Sequence, residues 1–243
     1  DILSHKLFLI NTLKMSQKLT VIFDLDGTLV ETAPDLINAH NHVMAKYGFV
    51  SKKSKDIKKL VGKGANSLIT RSVWGQAQEN FKKINNETLK KNMVNEFLDY
   101  YTKNICVESK IINGAEDFLK WCRKNNISLG VCTNKQDYLS VDLLKKLKIN
   151  HYFEYIAGSN TFDFCKPDPR HLTNIIEIMQ GDIKKSIMIG DSETDAETAK
   201  SAGVPFILLE NGYTEKKTSE IHHDHLIKDF VGIETIISKY LNH

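Results

Sequence analysis

Two acidic residues set the chemical problem of this chain. Leu19 to Phe23 is a short apolar run that leads into Asp24-Leu25-Asp26-Gly27-Thr28-Leu29, two carboxylates one residue apart followed at once by glycine and threonine. A buried strand gains no stability from two acids at its carboxyl end, because Asp is seldom buried without a partner. The chemistry that such a pair suits is phosphoryl transfer, provided the rest of the chain supplies the missing groups.

Further polar residues fall at matching places. In an open parallel sheet, ligands bind beyond the carboxyl ends of the strands, where the strand order reverses. The apolar run Ile127–Cys132 ends in Thr133-Asn134-Lys135, and Ser186–Ile189 ends in Gly190-Asp191. Lys166 lies in Cys165-Lys166-Pro167-Asp168-Pro169, a loop that two prolines stiffen. Asp195 follows Asp191 by four residues near a helix start, a spacing that turns both toward one pocket. Taken singly, Asp26 and Thr133-Asn134 also read as helix N-caps and Asp191 as a turn residue. Their joint placement argues for a site.

The elements that must position these residues follow from hydrophobic periodicity. Strands are expected at 19–23, 127–132, 153–157, 186–189, 205–209 and 225–227. Helices are expected at 33–46, 114–125, 137–147, 169–180, 193–202 and 230–241, with Pro34 and Pro169 at first helical positions and Gly48 and Gly203 past helix ends. Strand–helix alternation implies parallel pairing with crossovers of one hand. Between about 51 and 108 the pattern is helical throughout, with segments at 56–61, 65–74 and 87–105. Leu89, Met93, Phe97 and Tyr100-Tyr101 form a stripe that reads as core. The fold class is therefore α/β, a doubly wound, Rossmann-like parallel sheet with a small helical domain inserted after the first strand–helix unit. The expected division is a core of residues 15–33 and 109–243, a helical insertion of residues 34–108, and an N-terminal extension of residues 1–14 ahead of Met15.

Composition narrows the class. The 243 residues include 41% hydrophobic and 26% charged residues and carry a net charge of +3, too small to imply a nucleic-acid or membrane partner. Four cysteines, Cys106, Cys122, Cys132 and Cys165, form no Cys-x-x-Cys pair, which fits free thiols in a cytoplasmic, reducing setting. His222-His223-Asp224-His225 invites a metal reading. Neighbours on an extended segment point in opposite directions, so a solvated loop is the better account.

The four polar groups, in this order and spacing, resemble the haloacid dehalogenase-like superfamily of phosphatases. Asp24 to Leu29 is similar to its first motif, Thr133-Asn134 to the second, Lys166 to the third, and Gly190-Asp191-Ser192-Glu193-Thr194-Asp195 to the fourth. The resemblance spans about residues 18–242. It implies Asp24 as the nucleophile that forms an aspartyl-phosphate and Asp26 as general acid and base. It implies Mg²⁺ held by the carboxylates of Asp24 and Asp191 and the backbone carbonyl of Asp26. Lys166 would offset charge on nucleophile and phosphate, and Asp195 would orient Lys166 or a metal-bound water. Thr133, the backbone N–H of Asn134, and the turn made by Gly27 would serve the phosphate side. The expected protonation pattern is an ionised Asp24 beside a protonated Asp26.

Within the superfamily the second acid speaks against dehalogenation, which has no leaving oxygen to protonate. Leu36 stands where hexose-phosphate mutases carry a histidine. Thr32-Ala33-Pro34-Asp35-Leu36, Leu60-Val61-Gly62-Lys63-Gly64-Ala65, Thr133-Asn134-Lys135 and Asn211-Gly212-Tyr213-Thr214 resemble the phosphoglycolate phosphatase type. That resemblance implies hydrolysis of 2-phosphoglycolate, with the insertion as a cap and with Lys63, and less strongly Arg71, meeting the substrate carboxylate. Alternatives are another small phosphomonoester (a sugar phosphate or nucleotide), pyrophosphate, a β-phosphoglucomutase-like mutase, or a non-catalytic phosphate-binding protein. The expected partner is a small molecule, and the expected assembly a monomer or homodimer.

Overall fold

The computed structural model describes residues 18–74 and 87–241, so the expected extension 1–14 lies outside the described residues. Six strands form one sheet: β1 (Thr20–Phe23), β4 (Ser128–Cys132), β5 (Tyr155–Ala157), β6 (Ser186–Gly190), β7 (Phe206–Leu209) and β8 (His225–Ile227). Their order is β5-β4-β1-β6-β7-β8, and every pairing is parallel. The chain winds outward from β1 to one edge, returns, and winds to the other, so the strand order reverses at β1. The doubly wound α/β expectation holds, and the reversal falls beside the two acids.

The apolar run Val21-Ile22-Phe23 of β1 is explained by burial on both faces. Phe23 packs with Phe118, Phe153 and Phe230 at ring-centroid distances of 6.1, 6.2 and 6.2 Å. Ile22 points to the opposite face, in the cluster of Leu172, Ile175, Ile176 and Met188. A strand covered by helices on both sides must be apolar without alternation. Truncating such a buried side chain to alanine typically costs about 2–5 kcal/mol.

The helices that flank the sheet are α5 (Ala115–Lys124), α6 (Asp137–Lys146), α7 (Pro169–Ile178), α8 (Glu193–Ala202) and α9 (Glu234–Leu241). The last begins four residues later than its periodicity suggests. Gly232 takes the left-handed region (φ +81°), and Phe230 is drawn into the aromatic cluster, so the segment turns before it coils. Asp168 caps α7 by accepting from the Arg170 N–H at 2.9 Å.

Four helices among the described residues precede α5 after β1: α1 (Ala33–Lys46), α2 (Ser54–Lys58), α3 (Gly64–Trp74) and α4 (Glu87–Lys103). Helix α4 packs on α1 and α3 through Met93, Phe97 and Tyr101, which are buried. The excursion starts and ends at a ribbon that periodicity does not reveal: β2 (Val30–Glu31) pairs antiparallel with β3 (Lys110–Ile111). Strands of two residues carry too little pattern to read. Asp35 secures the returning chain. Its buried carboxylate accepts from the N–H groups of Val107, Glu108 and Ser109 and from the Ser109 hydroxyl, at 2.6–3.1 Å. None of the helices among the described residues is long and apolar enough to cross a membrane.

Candidate active site

The acids sit one step past β1. The Asp24 N–H still donates to Ile189 of β6 at 2.9 Å, and the chain then folds back tightly, with Gly27 N–H on Val30 O at 2.8 Å and Val30 N–H on Leu25 O at 3.0 Å. Gly27 makes this turn at φ +81°, and a Cβ there would lie 2.3 Å from Asp191 Oδ2. Glycine is therefore required twice over, by backbone conformation and by space. Gly27 packs on Asp191 and so shapes the acid cluster. Gly212 repeats the close approach from the loop after β7. A Cβ on it would lie 2.3 Å from Asp191 Cβ, and its neighbour Tyr213 donates its N–H to Asp191 Oδ2 at 2.6 Å.

Asp24, Asp191 and Asp195 each offer a carboxylate oxygen within 4.8 Å of the others, and all are buried. Lys166 is their single ammonium among the described residues, 2.9 Å from Asp24 Oδ1 and 2.6 Å from Asp195 Oδ1. Asp195 is otherwise spent on structure. Its Oδ2 accepts from the N–H groups of Asp191 and Ser192 at 3.2 and 3.1 Å and from the Ser192 hydroxyl at 2.7 Å. It thus caps α8 and fixes Lys166 together. Asp191 Oδ1 accepts from the Thr28 hydroxyl at 3.0 Å.

Three buried carboxylates against one lysine leave excess negative charge. Burial, only partly offset by Lys166, pushes the Asp24 carboxyl up to about 7, and Asp195 adds to the rise. Asp191 is raised well above the usual carboxylate range, by burial first and then by Asp195 and Asp24. Burial alone would pull the Lys166 ammonium down, but Asp195 and Asp24 outweigh it and hold it above the ordinary lysine range. A hard-oxygen donor set with uncompensated charge fits a divalent cation such as Mg²⁺. Asp195 Oδ2 already accepts from three donors, whereas each oxygen of Asp191 accepts from one and Asp24 meets only Lys166 among the described residues, so Asp24 and Asp191 keep lone pairs for one.

Asp26 stands in different company. It accepts from the Thr32 hydroxyl at 2.7 Å and forms an ion pair with Lys135, whose Nζ lies 2.8 and 2.9 Å from its two oxygens. The two acids of the first motif thus have different surroundings. Asp24 is the carboxyl that burial raises, and Asp26 is the one with a dedicated ammonium. Lys135 stood in the Thr133-Asn134-Lys135 motif, but motif reading gave it no role. Its position directly after Thr133-Asn134 was visible, but nothing in sequence spacing pairs it with a residue 109 positions away.

These groups border a cavity of about 230 Å³ between the sheet and helices α3 and α4. Thr133, buried, lines it, and its Oγ1 accepts from the Lys135 N–H at 3.2 Å. Asn134 lines it too, but its side-chain amide is committed elsewhere, to Lys166 O at 3.0 Å and Gly62 O at 3.1 Å. Leu36, Val61, Leu68 and Phe97 supply an apolar wall. Lys63 reaches the rim, half-exposed, with its ammonium 3.9 Å from Glu193. Arg71 pairs with Glu215 and lies outside the lining. The histidines near the carboxyl terminus do not converge: His223 bonds Ile221 O at 2.7 Å and His225 the Tyr240 hydroxyl at 3.1 Å.

Sequence and structure comparisons agree on kinship. The profile of the haloacid dehalogenase-like hydrolases matches residues 21–209. The chain is 36% identical to the phosphoglycolate phosphatase of Mesorhizobium japonicum over 221 residues, covering 91% of this chain and 95% of that one. It is 37% identical to the phosphoglycolate phosphatase of Agrobacterium fabrum over 223 residues, covering 90% and 94%. Among solved structures, a predicted phosphoglycolate phosphatase from Haemophilus somnus superposes with a TM-score of 0.83 at 26% identity, covering 91% of this chain and 99% of that one.

Proposed function

The chain belongs to the haloacid dehalogenase-like hydrolases, and on that premise we propose that it hydrolyses 2-phosphoglycolate to glycolate and phosphate through a covalent phosphate on Asp24. The observation that carries the chemistry is the Asp24–Lys166–Asp195–Asp191 cluster at the carboxyl end of β1, where the strand order reverses. The relatives named above support the substrate.

Asp24 is the nucleophile. Its Oδ attacks phosphorus in line, the P–O bond to the leaving group breaks, and the leaving oxygen takes a proton from Asp26. Water then attacks the aspartyl-phosphate, giving its proton to Asp26 and restoring the Asp24 carboxylate. Lys166, fixed by Asp195, offsets negative charge on Asp24 and the phosphoryl oxygens. The Thr133 hydroxyl and the Asn134 N–H hold phosphoryl oxygens at the strand-to-helix turn. The carboxylates of Asp24 and Asp191, with the backbone carbonyl of Asp26, would hold Mg²⁺. When bound, it neutralises charge between nucleophile and phosphate.

The insertion, residues 34–108, acts as a cap on the core of residues 15–33 and 109–243. Asn134 supports this by bonding both Gly62 and Lys166, one partner on each side of the cavity. Four free cysteines support a reducing, cytoplasmic setting. The mutase alternative is disfavoured by Leu36, an apolar side chain lining the cavity where a histidine would be needed.

A phosphate-release screen with Mg²⁺ over 2-phosphoglycolate, hexose phosphates, nucleotides and pyrophosphate tests the reading. The highest kcat/KM is expected for 2-phosphoglycolate. A preference for a hexose phosphate or nucleotide would replace the substrate and keep the mechanism. Activity undiminished by EDTA would remove the metal.

A further inference from the structure

We infer that Lys135 discriminates substrates at this site, its ammonium binding a carboxylate carried on the leaving group of the phosphoester. The inference rests on the phosphatase function proposed above and moves substrate selection from the rim to the base of the cavity.

Burial is the first ground. Only 8% of Lys135 is exposed, and lysine is almost never so enclosed without a purpose for its charge. Its Nζ is held from two sides, by both oxygens of Asp26 and by the ring of Tyr101, 4.7 Å from the centroid. Tyr101 belongs to α4, so the cap itself lies over this ammonium. Lys135 also lines the cavity. Were it needed only to satisfy Asp26, a neutral donor would serve at a smaller desolvation cost, as Thr32 already does at 2.7 Å.

The second ground is the shape of the substrate. In 2-phosphoglycolate the carboxyl carbon is two covalent bonds from the ester oxygen. Whichever residue protonates that oxygen must therefore stand beside the residue that receives the carboxylate. Asp26 and Lys135 meet this condition, in contact at 2.8 Å. The cations on the rim do not compete: Lys63 is half-exposed near Glu193, and Arg71 is paired with Glu215.

The third ground is electrostatic. Asp24 and Asp26 both face the cavity, so an incoming carboxylate is repelled unless a cation meets it. Leu36, Val61 and Phe97 keep the local dielectric low, which magnifies both repulsion and rescue. A leaving group without negative charge gains nothing from Lys135.

The test uses the whole enzyme with Mg²⁺ and three esters of similar size: 2-phosphoglycolate, 2-hydroxyethyl phosphate and phosphoethanolamine. Their leaving groups are anionic, neutral and cationic. The wild type is expected to favour them in that order by kcat/KM. Lys135→Met should lower the ratio of the first to the second on the order of 10²-fold, the usual loss when one member of a buried charge pair is removed. Lys135→Arg should retain most of the preference, and Lys135→Glu should favour phosphoethanolamine over 2-phosphoglycolate. Equal kcat/KM of the wild type for the anionic and neutral esters overturns the inference without any variant. An unchanged ratio in folded Lys135→Met, with both rates reduced, also overturns it and leaves Lys135 as a support for Asp26 alone. Phosphate release from none of the three esters would instead remove the phosphatase reading on which the inference stands.

Discussion

The two sides of the cavity are built differently. On the sheet side, Asp24, Lys166, Asp191 and Asp195 are all at least 95% buried, and Asp191 and Asp195 have both carboxylate oxygens engaged. On the cap side, Lys63 and Arg71 keep 45% and 27% of their side chains exposed and reach the core through single ion pairs. The sheet side is rigid because Asp24, Asp191 and Asp195 stand at a strand end or a helix start and Lys166, in the loop before α7, is bonded to Asp24 and Asp195. The cap side is adjustable because its polar contacts are few and wet. Chemistry and charge selection that must be repeated without variation suit the first, where Asp26 and Lys135 also lie, and enclosure of the bound substrate suits the second.

The largest test of this contrast is Asp24→Asn. Phosphate release is expected to fall by about 10⁴-fold or more, the scale seen when a nucleophile is removed. In metal-free buffer near neutral pH the variant should melt no lower than the wild type, because it deletes one of three crowded carboxylates. Near-wild-type turnover would take Asp24 out of the nucleophile's place.

Asp26→Ala is expected to cost about 10²–10⁴-fold in kcat, the range for a lost general acid. A negligible effect would show that the proton travels by another route and that the two acids are less specialised than their surroundings suggest.

A third test asks how far the rigidity of the sheet side extends. His171, on α7 directly after the Lys166 loop, is fully enclosed beside Phe162. Burial first, then Lys166, lowers its pKa from 6.5 to about 4. The unfolded chain therefore binds this proton before the folded one does. Stability from the neutral ring is complete above pH 6.5 and falls as pH drops from 6.5 toward 4, by at most about 3 kcal/mol. Chemical denaturation of wild type and His171→Gln at pH 7 and pH 4.5 measures it. The wild type should lose more than the variant, and parallel losses would mean that His171 is not the group responsible.

The smallest effects are expected on the cap side. Lys63→Ala and Arg71→Ala should each change kcat/KM less than about fivefold, as partly exposed ion pairs contribute at most about 1 kcal/mol. A loss of 10²-fold in either would make the cap rim as decisive as the sheet side and erase the contrast.

The difference also explains what could be read in advance. Strand β1 is apolar from Val21 to Phe23 because both faces are covered, so the acids after Phe23 stood out. The motifs at Thr133 and Asp191 were legible because each follows a periodic segment whose end can be located, and Lys166 because two prolines mark its loop. The β2–β3 ribbon was not, since two-residue strands have no period. Tyr213 stood in the Asn211-Gly212-Tyr213-Thr214 motif, but its partners were hidden. Its hydroxyl accepts from the Thr32 and Ala33 N–H groups at 2.9 and 2.8 Å, and its own N–H reaches Asp191. No local pattern announces a side chain whose partners lie about 180 residues away.

The amino-acid order alone determined the alternating α/β pattern, the helical insertion, the acids and threonine placed at strand ends, and the lysine in its proline-stiffened loop. Local periodicity and turn chemistry act over a few residues, and those features need nothing more. Tertiary structure decided the partners. It gave Asp26 to Lys135, spent Asp195 on Lys166 and the start of α8, committed the Asn134 side chain to Gly62, and left Lys63 on the rim. Such pairings depend on which loops the sheet order brings together, and on how much water each contact excludes. Both are properties of the packed whole.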